Sequence, residues 1–200
     1  MRRAALGFRM HSGWGTLVAV SNEAVPEVIE RRHIVVAEAT VPGSKQPYHY
    51  AENLELKEAA EYIARCSAMS GQLASAAVHD ILSQLEKSEY KVESSAILMA
   101  SGRTLPALEK ILASHALIHT AEGEFFRLVV RKACEDAGIT VTQIPERDLE
   151  ECAHKTLGKK VTQVKERIST LGRRLGPPWT QDDKLAALAA TLILASYRAA

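Results

Sequence analysis

The residues that could do chemistry in this chain fall into a few groups. Arg9 interrupts an apolar run and is followed by His11-Ser12-Gly13. An imidazole beside a hydroxyl is the pairing of a base with a nucleophile, although a His-Ser-Gly turn equally uses both groups to satisfy its own backbone. His115, His119 and Glu122 are spaced i, i+4 and i+7, which places them on one helix face. Two imidazoles one turn apart plus a carboxylate suit Zn²⁺ or another borderline divalent metal, or they are ordinary polar residues of a partly buried face. Asp182 and Asp183 fall in the first turn of the final helical segment, where carboxylates complement the helix dipole. Between Lys155 and Arg174, seven cations (Lys155, Lys159, Lys160, Lys165, Arg167, Arg173 and Arg174) stand against Glu166 alone, a local charge of +6. Such a segment contacts phosphates in a salt-dependent, sequence-independent way, or is a solvated face balanced by Glu146, Asp148, Glu150 and Glu151 just upstream. Tyr48-His49-Tyr50 is a candidate for ligand contact on a loop, or a local anchor; Trp179, after Pro177-Pro178, stacks on a base or plugs its loop onto the core.

These groups need elements to position them. A length of 200 residues suits one domain spanning 1–200, with 46% hydrophobic and 24% charged residues, the balance of a globular protein. Ala5 to Met10 is a short apolar run, Trp14 to Val20 a strand, and Arg32 to Val41 a third strand after a connection over Ser21 to Glu30. From Leu54 the apolar period becomes 3.6, with Leu56, Ala59, Ala60, Ile63, Ala64, Ala74, Ala77, Ile81 and Leu85 on one face of a long helix that Gly71 kinks or interrupts. Its small residues suit close packing, on the sheet or in a homodimer. Lys91 to Ala100 reads as a buried strand, Pro106 to Ala137 as helix broken near Ser114, and Ile139 to Ile144 as a fifth strand. Helices over Glu146–Leu157 and Lys160–Leu171, closed by Gly158 and Gly172, precede a last helix capped by Thr180. The order β-β-β-α-β-α-β-α implies a mixed sheet flanked by helices.

The other classes are narrowed by what the residues lack. Twenty-five basic and 24 acidic residues leave a net charge of +1, so no global field draws the protein to nucleic acid or membrane. The apolar stretch Leu185–Ala195 is too short for a membrane span, and Arg9 and His11 interrupt any leader-like run after Met1. Three scattered cysteines (Cys66, Cys134 and Cys152) fit a reduced, cytoplasmic setting rather than a disulfide framework. The sequence carries no glycine-rich phosphate loop, dinucleotide fingerprint or serine elbow.

The element order, in one domain, is that of the ribonuclease H-like fold, and local motifs are similar to those of RuvC-type Holliday-junction resolvases. Gly7-Phe8-Arg9-Met10-His11 before Gly13-Trp14-Gly15-Thr16 resembles the family's Gly-Ile-Asp-Pro-Gly followed by Gly-Tyr-Gly-Val. Ile118-His119-Thr120-Ala121-Glu122-Gly123 looks like Leu-Gly-Gln-Ala-Arg-Gly, and Asp183-Lys184-Leu185-Ala186-Ala187-Leu188-Ala189 resembles Asp-x-x-Asp-Ala-Leu-Ala. The resemblance implies an α/β fold with a mixed five-stranded sheet, a three-strand antiparallel meander plus two parallel strands. It also implies carboxylates converging on divalent metals for phosphodiester cleavage. Here the family's first-strand acid corresponds to Arg9, the fourth-strand acid falls within Ser95–Leu98 where none exists (Glu93 lies too early), and Asp183 matches one final-helix acid while Ala186 replaces the other. A guanidinium at Arg9 repels a cation at that place.

The resemblance further implies that the ends of the first and fourth strands and the start of the last helix meet, gathering Arg9, His11, Ser12, Ser101, Arg103, Asp182 and Asp183, with the His115 helix approaching the same cleft. Asp183 is then the expected partner of Arg9, as a structural ion pair or beside an arginine that grips an anionic ligand. The leading expectation is a RuvC-like nucleic-acid-associated protein, without standard two-metal nuclease activity, binding through the Lys155–Arg174 segment. The alternatives are a metal-assisted hydrolase or transferase using His11, His115, His119, Glu122 and Asp183, and a scaffolding homodimer whose cleft Arg9 and Asp183 close.

Overall fold

The computed structural model describes residues 1–21, 26–100 and 104–199, without the side chains of 172–174 and 197–199. Strand β1 (Arg2–Met10) organises the rest. Because alternate side chains leave a strand on opposite faces, Leu6, Phe8 and Met10 enter one core while Ala5 enters the other, and Gly7 and Arg9 share the side of Ala5. β1 pairs antiparallel with β2 (Trp14–Ser21), and β2 antiparallel with β3 (Glu27–Val35). On its other side β1 runs parallel to β4 (Tyr90–Met99), which runs parallel to β5 (Thr140–Pro145). The sheet order is β3-β2-β1-β4-β5, the expected meander plus two parallel strands.

Helices cover both faces. On one lie α1 (Pro47–Ala51), α2 (Leu56–Lys87), α3 (Leu108–Leu112) and α4 (His115–Asp136); on the other lie α5 (Leu149–Leu157), α6 (Val161–Leu175) and α7 (Gln181–Ala199). Phe8, Leu6 and Ile97 are fully buried against α2 and α4, each worth about 1.5–3 kcal/mol of transfer free energy. The opposite core joins Val18, Val20, Ala96 and Leu98 to the small residues Ala186, Ala187, Ala189 and Ala190 of α7. Gly7 permits this layer to close: a Cβ there would meet the carbonyl oxygen of Ala186 at 1.9 Å. Among the described residues, no helix is long and apolar enough to cross a membrane.

Several elements differ from expectation. The third strand spans Glu27–Val35 rather than Arg32–Val41. It is an edge strand, and its polar Glu30, Arg31, Arg32 and His33 are what protects an edge from further pairing. The apolar run that suggested a later strand instead leaves the sheet, where Val36 and Ala37 donate backbone hydrogen bonds to the Gly13 carbonyl. Asn22 of the intervening connection lies outside the described residues. Tyr48-His49-Tyr50 forms α1 rather than a loop, with Pro47 in its first turn. Gly71 leaves α2 unbroken over its 32 residues. The buried stripe of α2 runs through Tyr62, Cys66 and Ser70, leaving Ala60 and Ala64 exposed; Tyr62 and Cys66 pack in the core, and the Tyr62 hydroxyl donates to the Pro42 carbonyl. α6 continues through Gly172 to Leu175, where Gly176 with φ of 79° follows it.

Candidate functional site

α7 crosses β1 with Ala186 over Gly7, so one helical turn back along α7 and two residues on along β1 bring Asp182 onto Arg9. Arg9 Nη1 donates to Asp182 Oδ1 at 2.5 Å. Its Nε and Nη2 donate to Glu146 Oε2 and Oε1 at 3.2 and 2.9 Å, the two-pronged geometry that matches guanidinium to carboxylate. Glu146 stands just past Pro145 at the end of β5 and reaches Arg9 across the end of β4, where Arg9 pairs with Leu98 and Met99 pairs with Pro145. His11 Nε2 lies 2.7 Å from Asp182 Oδ2 and 2.8 Å from Arg9 Nη1; a single ring nitrogen donates to the carboxylate or accepts from the guanidinium, according to tautomer. Burial acts to lower the Arg9 pKa, but the hydrogen bond and charge of Glu146 and the charge of Asp182 outweigh it, so the guanidinium is held above its ordinary value.

Arg127 of α4 closes the floor. It donates from Nε to the Leu98 carbonyl at 2.9 Å and from Nη2 to the Met10 carbonyl at 3.0 Å, tying the ends of β4 and β1 together. Its pKa is lowered, first by burial and also by the charge of Arg9, against the opposing charges of Glu124 and Glu146. Beside the cluster, Trp14 is stacked between His11 and His33 at ring separations of 4.3 and 4.9 Å. A cavity of about 420 Å³ opens there, lined by Trp14, Arg31, His33, Pro178, Asp182 and Asp183 among others.

The partner of Arg9 is therefore Asp182, not Asp183. Asp183 is 4% exposed and closes the start of α7: its Oδ2 accepts from Thr180 N at 2.7 Å and Thr180 Oγ1 at 2.8 Å, and its own N–H donates to Thr180 Oγ1. This reciprocal cap fixes Asp183 on the β3 side, with Arg31 Nη1 3.9 Å away. Ser12 is exposed in the turn, and the His11 ring faces Asp182 and Arg9. Ser101 and Arg103 lie outside the described residues. Glu146 and Arg127 were missed by sequence reasoning; the available signal for Glu146 was an acid placed immediately after a strand-stopping proline.

A ribonuclease H-like site for divalent metals needs carboxylate oxygens free to face the ions. Here every carboxylate oxygen of Asp182 and Glu146 already faces Arg9 or His11. The residues present do not fit a metal pair, since the guanidinium fills the place between the acids.

The His115 helix carries a second cluster, which shares no residue with the first. His115 and His119 meet as their spacing predicts, with their Nε2 atoms 3.0 Å apart. Glu122 does not join them as a ligand. It is 6% exposed, and its Oε1 accepts the backbone N–H groups of Tyr48 at 2.7 Å and His49 at 3.0 Å, anchoring α1. Burial raises the Glu122 pKa, opposed by these hydrogen bonds and by His49. The third ring is His49 of α1, so that one ring nitrogen each from His49, His115 and His119 lie within 4.8 Å of one another.

The basic segment is spread over α5, the 3-10 turn Gly158–Lys160 and α6. Lys155 is paired with Glu151 at 2.6 Å and Lys165 with Glu150 at 2.7 Å, whereas Lys159, Lys160 and Arg167 are exposed. Arg173 and Arg174 lie on α6, their side chains outside the described set. Trp179 serves as the plug, donating from Nε1 to the Ile168 carbonyl at 2.8 Å.

Sheet order, helix placement and the meeting of β1 with α7 define a ribonuclease H-like fold. Within it, the chain is similar to RuvC of Thermus thermophilus. The structure of that protein in complex with a Holliday junction substrate matches over 98% of this chain and 96% of the other, with a TM-score of 0.53 and 14% identity. A second T. thermophilus RuvC structure covers the same shares with a TM-score of 0.50 and 12% identity. At these identities the likeness is one of fold. No family model matches the chain, and no curated protein matches it in sequence.

Proposed function

We propose that this chain is a RuvC-like, nucleic-acid-associated domain in which two-metal phosphodiester cleavage has given way to a closed ion-pair cluster. The observation that carries the reading is the Arg9 guanidinium bridging Asp182 and Glu146 at the junction of β1 and α7. In this arrangement the positive charge is a fixed part of the protein, and the carboxylate oxygens that would hold a Lewis acid are engaged by Arg9 and His11. Fold likeness to a protein solved on a Holliday junction supports the nucleic-acid part, and Lys159, Lys160 and Arg167 supply exposed cations for phosphate contact. The same reading places the protein in the reducing cytoplasm and pairs two copies through the exposed small residues Ala60 and Ala64 of α2, which light-scattering mass in solution tests.

The experiment is a salt titration of binding to a four-way DNA junction and to single-stranded DNA, with Mg²⁺-dependent cleavage assayed in parallel. Binding is expected at low salt, with affinity falling by a slope of about −0.9 per phosphate contacted on duplex arms. Replacing Lys159 and Lys160 by glutamate flattens that slope. Strand cleavage is absent. Lack of binding at low salt defeats the nucleic-acid reading; Mg²⁺-dependent cleavage abolished by Asp182→Asn defeats the loss of nuclease chemistry.

A further inference from the structure

We propose that His49, His115 and His119 form a site for one borderline divalent cation of the Zn²⁺ type, held by three imidazoles with the fourth position open to water. The inference is independent of the nucleic-acid reading and rests on a different part of the molecule.

Zn–N bonds of about 2.0–2.1 Å in a tetrahedral site set ligand nitrogens about 3.4 Å apart. The Nε2 atoms of His115 and His119 are 3.0 Å apart, and the third ring's nitrogen lies within 4.8 Å of both. Small rotations of the exposed His115 and His119 side chains toward the partly buried His49 bridge that difference. A hydrogen bond between two imidazoles accounts for His115 and His119 alone. It does not account for a third ring, delivered from another helix and packed edge-on against both at 5.6 and 4.7 Å.

The third ring is backed by a buried carboxylate, that of Glu122. Glu122 Oε1 lies 3.4 Å from His49 Nδ1; in the tautomer that carries its proton on Nδ1 the ring faces this carboxylate with its N–H and keeps the Nε2 lone pair for a metal. A buried carboxylate behind a ligating histidine is the arrangement that orients the ring. Glu122 Oε2 is buried with no hydrogen-bond partner. A buried carboxylate with an unmet oxygen is costly in isolation, and a divalent ion one imidazole away offsets that cost through its charge. The donor set is nitrogen only, which favours Zn²⁺ or Co²⁺ over Mg²⁺ or Ca²⁺. Pro47 starts α1 and Glu122 anchors it, so the ion would clip α1 to α4 above Ile111, Ile118 and Ala121.

The test uses the full, untagged chain stripped of metal with a chelator and titrated with Co²⁺ alone. One equivalent is expected to bind, with the intense visible bands of a four-coordinate site, and Zn²⁺ to displace it. His49→Ala and His119→Ala each abolish those bands, His154→Ala leaves them unchanged, and Glu122→Gln weakens affinity 10- to 100-fold. Circular dichroism of each variant confirms that it is folded. Binding of less than one equivalent by the folded parent protein overturns the proposal. So does binding that survives His49→Ala, because a two-histidine surface chelate then explains everything.

Discussion

The carbonyl oxygen of Ala186 lies 1.9 Å from the point that a Cβ on Gly7 would occupy, and the Ala190 methyl lies 3.2 Å from it. This contact between a strand without a side chain and the backbone of α7 sets both the height and the rotation of the helix. Asp182 faces β1 because Ala186, one turn later, is already seated on it, and Asp183 is turned toward β3 by the same rotation.

Gly7→Ala should therefore act at two levels. The obstructing atom is backbone, so the helix must move, and overpacking of this kind costs roughly 1–3 kcal/mol. Chemical denaturation should show that loss. The shift of α7 should also detach Asp182 from Arg9, read as a change in the His11 ring resonances. A variant with unchanged midpoint and unchanged His11 signals would contradict the account of how the cluster is positioned.

Asp183 is assigned to the helix start and not to the charge cluster. Asp183→Ala removes two accepted hydrogen bonds at the Thr180 cap, and loss of such a cap costs about 0.5–2 kcal/mol. The expected outcome is a lower thermal midpoint with nucleic-acid affinity unchanged at fixed salt. Loss of affinity without loss of stability would return Asp183 to the functional cluster.

The sheet was legible in the sequence because β1, β2 and β4 are buried and apolar, and burial is what composition reports. The start of β3 is hidden for the converse reason: an edge strand carries charge, and Glu27 and Glu30 read as connection rather than strand. That Arg9 and His11 meet the start of the last helix is legible in the sequence; which residue of that helix they meet is not. Whether Asp182 or Asp183 faces Arg9 depends on a helix rotation of about 100° per residue, which the Gly7–Ala186 contact decides and no local pattern encodes. Glu146 arrives from β5, past the intervening β4, so its partnership with Arg9 exists only in the folded sheet. His49 is not legible as a companion of His115 and His119, because the anchor that holds its helix beside them, Glu122, lies 73 residues away.

The cysteines give a pH signature. Burial pushes the Cys134 thiol up to about 12, from an ordinary value of 9.0. The folded protein thus keeps a proton that the unfolded chain releases above pH 9, so the unfolded state binds fewer protons there and stability falls as pH rises from about 9 toward 12. Below pH 9 this contribution is constant. Cys134→Ala should flatten that part of the stability profile, although its cavity lowers the whole curve. Thiol labelling at pH 8 should modify the half-exposed Cys152 in the native state and reach Cys66 and Cys134 only on unfolding.

Removing Arg9 tests the idea that its guanidinium stands in place of a metal. Arg9→Ala leaves Asp182 and Glu146 without the cation that bridges them. Loss of one partner from a fully buried pair costs roughly 3–5 kcal/mol; here Asp182 is 20% and Glu146 35% exposed, so solvent screening reduces the expected loss to about 1–3 kcal/mol. The vacated space is bordered by oxygens, the donor type that Mg²⁺ selects. Millimolar Mg²⁺ should then raise the thermal midpoint of Arg9→Ala while leaving the parent protein unaffected, because in the parent the same oxygens already face the guanidinium. Adding Asp182→Asn to Arg9→Ala should recover part of the lost stability by relieving the repulsion, and should abolish the response to Mg²⁺. If Arg9→Ala is as stable as the parent and indifferent to Mg²⁺, the guanidinium is not what holds the two acids together, and the proposed replacement of metal by arginine fails with it.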